Sequence, residues 1–296
     1  MRPMLATISY PPIPIFELGP LRLSLHGLMA GVGFIVGAWL LLRETEKRGF
    51  DQEKLMSVLT WGLVGSIVGA RVFTIPAHLD EGLLTALEPF SFFSIMGGFA
   101  GGLIVAGWRM RMLGLNVLAY MDLAAPGLAI GTAVGRIGDL FILEHLGGST
   151  DFFLGFVTKP GYELAPQHGS LQATCESGGT CGPYHFSALY DLLGALVLLG
   201  VLFLIARNWS RLRYGVLFVT WMGWYGIQRF LIDFTRNTDL PGADATLGPL
   251  TWNQWTGLTL GILAIVAVVW VSAGNKTPLI SAEQDQEYGA ELSPTG

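Results

Sequence analysis

Charge is what this sequence has least of. Among 296 residues only 13% are Asp, Glu, Lys or Arg, while 51% are hydrophobic and the mean hydropathy is +0.52. An average soluble domain carries roughly 25% charged residues, so water is not the solvent of most of this chain. Cysteine is equally scarce. Cys175 and Cys181 are the only two, and no His or Cys partner stands at ligand spacing around them, so no metal site is expected. Basic patches with interleaved aromatics are missing, which removes nucleic acid from the expected partners. The first apolar run follows only Arg2 and Arg22 and has no small-residue cleavage site before a soluble domain. That run is expected to stay in the membrane rather than leave as a signal peptide.

What the sequence does have is long apolar runs. Seven can be marked, near 24–43, 55–75, 91–108, 117–143, 186–206, 214–234 and 251–272, each long enough for a hydrocarbon core of about 30 Å. The expected fold is an all-α polytopic membrane protein of about seven transmembrane helices. Residues 1–275 form one transmembrane domain with an extracytoplasmic loop at about 144–185, and residues 276–296 form a disordered tail rich in acidic residues. Orientation follows from Lys and Arg. Loops 43–54, 109–116 and 207–213 and the tail hold four, two, three and one, ten in all, against four in the alternate set (Arg2, Arg22, Lys159, Arg236). The basic loops are therefore assigned to the cytoplasm, with the N-terminus outside and the C-terminus inside. This topology puts Cys175 and Cys181 outside, where disulfides persist; a small looped bridge and two free thiols both remain open.

Charges inside apolar spans carry the functional signal, because each costs several kcal/mol unless paired or hydrated. With the topology above, Arg71, Arg136, Asp139, Arg229 and Asp233 fall in the outer halves of the second, fourth and sixth spans. His26, Met96-Gly97-Gly98, His185 and Tyr190 fall in the outer halves of the first, third and fifth. Tyr225, Arg229 and Asp233 follow at i,i+4 steps and share a helix face, while Arg136 and Asp139 are i,i+3,. Two arginines near the outer headgroups suit a phosphate, since the guanidinium fork clasps phosphate oxygens bidentately. A phospholipid headgroup is the expected ligand. Snorkelling of Arg71 to the interface and two ion pairs that merely lock helices together are the structural alternatives. Glycines at small-xxx-small spacing in the third and fourth spans fit close helix contact. Pro126 implies a kink or a local break, and Trp252 and Trp255 read as interface anchors.

These residues resemble the prolipoprotein diacylglyceryl transferase family, block by block and in order: Ile15-Phe16-Glu17-Leu18-Gly19-Pro20 leading to His26-Gly27-Leu28-Met29; Gly69-Ala70-Arg71; Met96-Gly97-Gly98; Gly135-Arg136-Ile137-Gly138-Asp139 through Glu144 and Gly147; His185 to Asp191; and Tyr225 to Arg236. The resemblance implies transfer of the diacylglyceryl group of phosphatidylglycerol to the thiol of the lipobox cysteine of a prolipoprotein, at the outer leaflet of the bacterial cytoplasmic (inner) membrane, with no cofactor. It implies that Arg136 and Arg229 grip the lipid phosphate and stabilise it as it departs with glycerol, that Glu144 and Gly147 complete the signature, and that Tyr190 and Tyr225 shape the headgroup pocket. Arg71, Gly97, Gly98, Asp139 and Asp233 join them as substrate-binding candidates.

The sequence departs from the family pattern at Met96, where a histidine usually precedes the paired glycines; at His26, usually tyrosine; at Asp139, usually asparagine; and at Phe186 and Ala188, usually proline and glutamine. Methionine cannot accept a proton at working pH, so His26 is the candidate base for the attacking thiol. A family-derived membrane scaffold that binds lipid without transferring it is the competing expectation.

Overall fold

The computed structural model describes residues 8–13, 16–18, 21–72, 95–143, 145–164, 168–208, 212–236 and 246–273. Glu144, the side chain of Met96 and the acidic tail at 276–296 lie outside the described residues.

Backbone amides in hydrocarbon must satisfy one another within the segment, which leaves an apolar run the helix as its solution. Seven long helices accordingly fall on the apolar runs, α1 (Leu25–Lys47), α2 (Gln52–Val72), α3 (Ile95–Met112), α4 (Val117–Ile142), α6 (Ser187–Ala206), α7 (Val216–Asp233) and α8 (Trp252–Ala273), and a short polar helix, α5 (Gly169–Glu176), forms between α4 and α6. Five of them, α1, α2, α4, α6 and α8, are long and apolar enough to cross a membrane. The less apolar α3 and α7 carry Arg109 with Arg111 and Arg229 with Asp233, respectively. Helix α4 runs through Pro126 without a break. Three two-stranded antiparallel ribbons complete the described structure: β1 (Phe16–Leu18) with β2 (Leu21–Leu23), β3 (Leu146–Ser149) with β4 (Tyr184–Phe186), and β5 (Thr246–Leu247) with β6 (Leu250–Thr251).

The described residues group into two compact units, the first from those up to 39 together with those from 124 onward, the second from those between 40 and 123. In the first, α1 and α4 meet backbone on backbone. A methyl group at Gly37 would come within 2.6 Å of the Gly127 carbonyl oxygen, and one at Gly138 within 2.7 Å of that of Leu25. Small-residue contact supplies van der Waals packing where lipid provides no hydrophobic drive. Ala125, Ala129, Leu198, Leu202 and Leu217 tie α4, α6 and α7 into one buried cluster, and α7 packs along α8.

The segment expected as a long extracytoplasmic loop is a folded cap with its own core. Leu143, Leu146, Phe156, Leu164, Phe186 and Ala188 are buried together, with Ile8 and Tyr10 packed against them. Ile8 bridges Phe156, Phe156 bridges Tyr184, and Gly147 bridges Arg236. Cys175 and Cys181 form a disulfide, which settles the choice left open between a bridge and two free thiols.

In the second unit α2 and α3 pack closely. Gly65 faces Gly101 and Gly69 faces the Gly97 carbonyl, and Arg109 Nε donates to Ser57 Oγ at 2.9 Å.

Candidate functional site

The polar side chains of the first unit form one alternating chain of charges. Arg236 Nε lies 3.3 Å from Asp233 Oδ1, Asp233 Oδ1 lies 3.9 Å from Arg229 Nη2, and Arg229 Nη1 lies 3.6 Å from Asp191 Oδ2. The same Asp191 oxygen lies 3.0 Å from Arg136 Nη2, and Arg136 Nη1 donates to Asp139 Oδ2 at 2.6 Å. The other Asp139 oxygen holds His26 Nδ1. Three guanidinium and three carboxylate groups thus alternate, and the imidazole closes one end. With His26 neutral the net charge is zero.

Local structure explains each placement. Asp233 follows Arg229 by one helical turn on α7, and Arg136 precedes Asp139 by three residues on α4, so each pair shares a face. Gly138 is the device that brings α1 to α4 at this level: the space for its missing Cβ is filled by the Leu25 carbonyl, the His26 Cα and Met29 Cβ. His26 thereby reaches Asp139, the next residue along α4. Asp191 sits one turn into α6, where Gln228 of α7 donates to its backbone oxygen at 3.0 Å and to its Oδ1 at 3.2 Å. Trp224 fixes Gln228 in turn, its Nε1 donating to Oε1 at 2.8 Å. Thr251, at the entry of α8, donates its hydroxyl to Asp233. Asp139, Asp191, Asp233 and Arg229 are all buried. Desolvating a buried ion costs several kcal/mol unless it is paired; the ladder pairs each of them and hydrogen-bonds Asp139, Asp191 and Arg136, while Arg229 Nη1 and Asp233 Oδ1 are held by charge without a hydrogen bond.

The expected residues divide as follows. His26, Arg136, Asp139, Arg229 and Asp233 come together. Tyr225 stacks on Trp221, ring centroids 5.6 Å apart, and lies within electrostatic reach of Arg136 and Arg229. Tyr190 stands at the start of α6, its hydroxyl 3.3 Å from His185 Nδ1 and its ring edge-on to Phe152. Gly147 lies in β3 where a Cβ would run into the Thr235 carbonyl, so it lets the cap close on the end of α7. Arg71, Gly97 and Gly98 belong to the second unit. There Gly97 and Gly98 are buried in the α2–α3 contact and Arg71 ends α2.

Three participants escaped the sequence reading, Asp191, Arg236 and His145, and Arg236 stood only as a loop charge and the last residue of a motif. Asp191 was visible only as part of a motif, although an acidic residue inside an apolar 20-residue helix was itself a signal,. His145 carried no signal at all. It comes soon after α4, beyond a turn at Leu143 with φ 53°, a left-handed position that costs a leucine about 1–3 kcal/mol and is held by complete burial in the cap core,. His145 lies within electrostatic reach of Arg236, Asp139, Arg136 and Arg229. Burial, and then the positive charge of Arg236, press its pKa down to about 3, so it stands as a neutral imidazole beside the ladder,. Burial also lowers His185 and pushes the Tyr10 phenol, which donates to the Leu140 carbonyl at 2.6 Å, up to about 12. Among the described residues no group of His, Cys, Asp and Glu is arranged to hold a metal ion.

The arrangement can hold an anion and move a proton. Each guanidinium has five N–H donors, more than its carboxylate neighbours use, and a half-exposed imidazole stands at one end.

A family model described as prolipoprotein diacylglyceryl transferase matches residues 14–270. Proteins of Pseudomonas fluorescens strains Pf-5 and Pf0-1, both named phosphatidylglycerol–prolipoprotein diacylglyceryl transferase, are 33% and 34% identical to this chain. The first alignment covers 94% of this chain and 100% of the relative, the second 88% and 91%. A protein of the same name from Frankia casuarinae is 28% identical over 98% of this chain and 68% of its own length.

Proposed function

Because the chain belongs to the prolipoprotein diacylglyceryl transferase family, we propose that it moves the diacylglyceryl group of phosphatidylglycerol onto the thiol of a prolipoprotein's lipobox cysteine and releases glycerol phosphate. It is a membrane transferase. In this reading all seven long helices cross the bilayer, the N-terminus lies outside, and the site faces the outer leaflet of the bacterial inner membrane, where a translocated prolipoprotein arrives. The excess of Lys and Arg in the alternate loops supports that orientation,.

The observation that carries the proposal is the pair Arg136 and Arg229, drawn to a single Asp191 oxygen from two helices. Two guanidinium groups so close to one another suit the oxygens of a phosphodiester, whose charge doubles as the glyceryl carbon–oxygen bond breaks. Donors fixed in advance on a developing anion are the means by which such a site lowers a barrier. Tyr225 adds a hydroxyl beside both arginines, and Tyr190, Asp139, Gly147 and Asp233 complete the lipid site, while Arg71, Gly97 and Gly98 are assigned to lipid binding through their places in the motifs. Glu144 is assigned a part in the chemistry through its place in the motif, and His26 is assigned the thiol proton.

The test is transfer from phosphatidylglycerol vesicles to a lipobox peptide by the purified protein. Arg136→Ala and Arg229→Ala should each lose about 10²–10³-fold in rate while remaining in the membrane, and lysine at either position should restore only part, since an ammonium cannot replace the guanidinium fork. Near-parental transfer by either alanine variant would reduce that arginine to an ion-pair member.

A further inference from the structure

We propose that Asp139 is a positioning residue which, with His26, forms a proton-accepting dyad for the thiol, and that its second oxygen joins this dyad to the phosphate-binding arginines. The proposal rests on the transferase reading above and names what within that site deprotonates the thiol.

Geometry carries the argument. Asp139 is buried, its side chain only 1% exposed, and its two oxygens are committed to different partners, Oδ1 to His26 Nδ1 and Oδ2 to Arg136 Nη1. A carboxylate only accepts hydrogen bonds, so it fixes the imidazole proton on Nδ1 and turns the Nε2 lone pair outward; this is the orienting role an aspartate plays toward a catalytic histidine. The His26 side chain is 39% exposed, as a group that must meet a substrate requires. Among the described residues, the charged and titratable groups on its Asp139 side are Asp139 itself, Arg136 behind Asp139, and His145, which lies within electrostatic reach of Asp139. His145 is the other imidazole beside the ladder, and it stays unprotonated down to about pH 3, which makes it a poor acceptor for a thiol proton.

The step balances as follows. The thiol proton passes to His26 Nε2. The sulfur electron pair forms the bond to the glyceryl carbon, and the carbon–oxygen bond to phosphate breaks, with its pair leaving on glycerol phosphate. That product gains one negative charge at the moment the ladder, neutral at rest, gains one positive charge. The proton then leaves His26 for the phosphate monoester or for water. Arg136, which touches Asp139 on one side and Asp191 on the other, links the group that receives the proton to the groups that receive the anion.

Asp139→Asn is the discriminating substitution. Arg136 can only donate, so it claims the amide oxygen and leaves the amide NH₂ toward His26 Nδ1. The imidazole must then accept there and carry its proton on Nε2, the wrong tautomer for a base. Transfer from phosphatidylglycerol vesicles to a lipobox peptide should fall about 10²–10⁴-fold in kcat, while KM for the lipid does not rise, because the charge removed is negative. Asp139→Glu, which keeps both acceptors, should recover part of the rate. His26→Gln should lose a similar factor, and the double variant should be no slower than the slower single, as residues acting as one unit behave. Nitrogen-15 NMR of labelled histidine should show His26 protonated on Nδ1 in the parent and on Nε2 in Asp139→Asn. An unchanged tautomer, losses that multiply, or a loss confined to KM overturns the dyad. A parent protein that transfers no lipid yet shows the tautomer change overturns the transferase reading instead, and leaves the pairing of His26 with Asp139 standing.

Discussion

Asp191→Asn tests whether the ladder is a structure under electrostatic tension. One Asp191 oxygen serves Arg136 at 3.0 Å and Arg229 at 3.6 Å, and the side chain is 6% exposed. At an effective dielectric of about 20, attractions at those separations are roughly 5 kcal/mol each before desolvation, and burying the carboxylate cancels much of that. The amide keeps an acceptor for Gln228 but turns a donor, or a neutral oxygen, toward two cations. Arg136 retains Asp139 at 2.6 Å, whereas Arg229 is left with Asp233 at 3.9 Å, so the uncompensated charge falls mainly on Arg229. Breaking a buried pair from one side typically costs about 3–5 kcal/mol, which corresponds to a fall in Tm of order 10 °C. The assay is thermal unfolding in detergent with and without phosphatidylglycerol. The lipid phosphate should replace the missing anion, so added lipid should raise the Tm of Asp191→Asn by several degrees more than that of the parent. A variant that unfolds within about 2 °C of the parent, or one that phosphatidylglycerol protects no better than it protects the parent, would refute both the tension and the placement of phosphate between these arginines.

Gly138→Ala should drive a methyl group into the Leu25 carbonyl at 2.7 Å and the His26 Cα at 2.8 Å; overpacking of about 1–3 kcal/mol is expected, with a loss of transfer larger than that of an alanine at the open position Gly135, measured side by side. His145 has a folded pKa below its unfolded value, so its contribution to stability is complete above pH 6.5 and is lost as pH falls from there toward about 3, by up to about 1.4 kcal/mol per pH unit; Tm measured from pH 7 to pH 4 should fall less steeply in His145→Gln. Reducing the Cys175–Cys181 bridge, which closes a loop of sequence separation 6, should cost about 2 kcal/mol in the chain-entropy account,. After reduction on intact cells, a membrane-impermeant thiol reagent should label both cysteines, and labelling seen only after lysis would reverse the proposed orientation.

The sequence by itself determined the helices, because a run of apolar residues in lipid leaves the backbone one way to satisfy its amides. The span expected at 117–143 is α4 at Val117–Ile142, and that at 186–206 is α6 at Ser187–Ala206. It also determined which pairs share a helix face, Arg136 with Asp139 and Arg229 with Asp233, since those follow from 3.6 residues per turn alone. Its six ordered motif blocks identified the family. Contacts between helices lay beyond it, because no local rule fixes which face of α6 meets α4 and α7. That Asp191 joins the two arginines, that His145 lies beside them after a left-handed turn at Leu143, and that the loop after α4 folds into a cap were all decided by packing across long sequence separations. The same holds for His26 and Asp139. In sequence they were two separate departures from a family pattern, 113 residues apart; the close approach of α1 to α4 at Gly138 makes them one hydrogen-bonded pair.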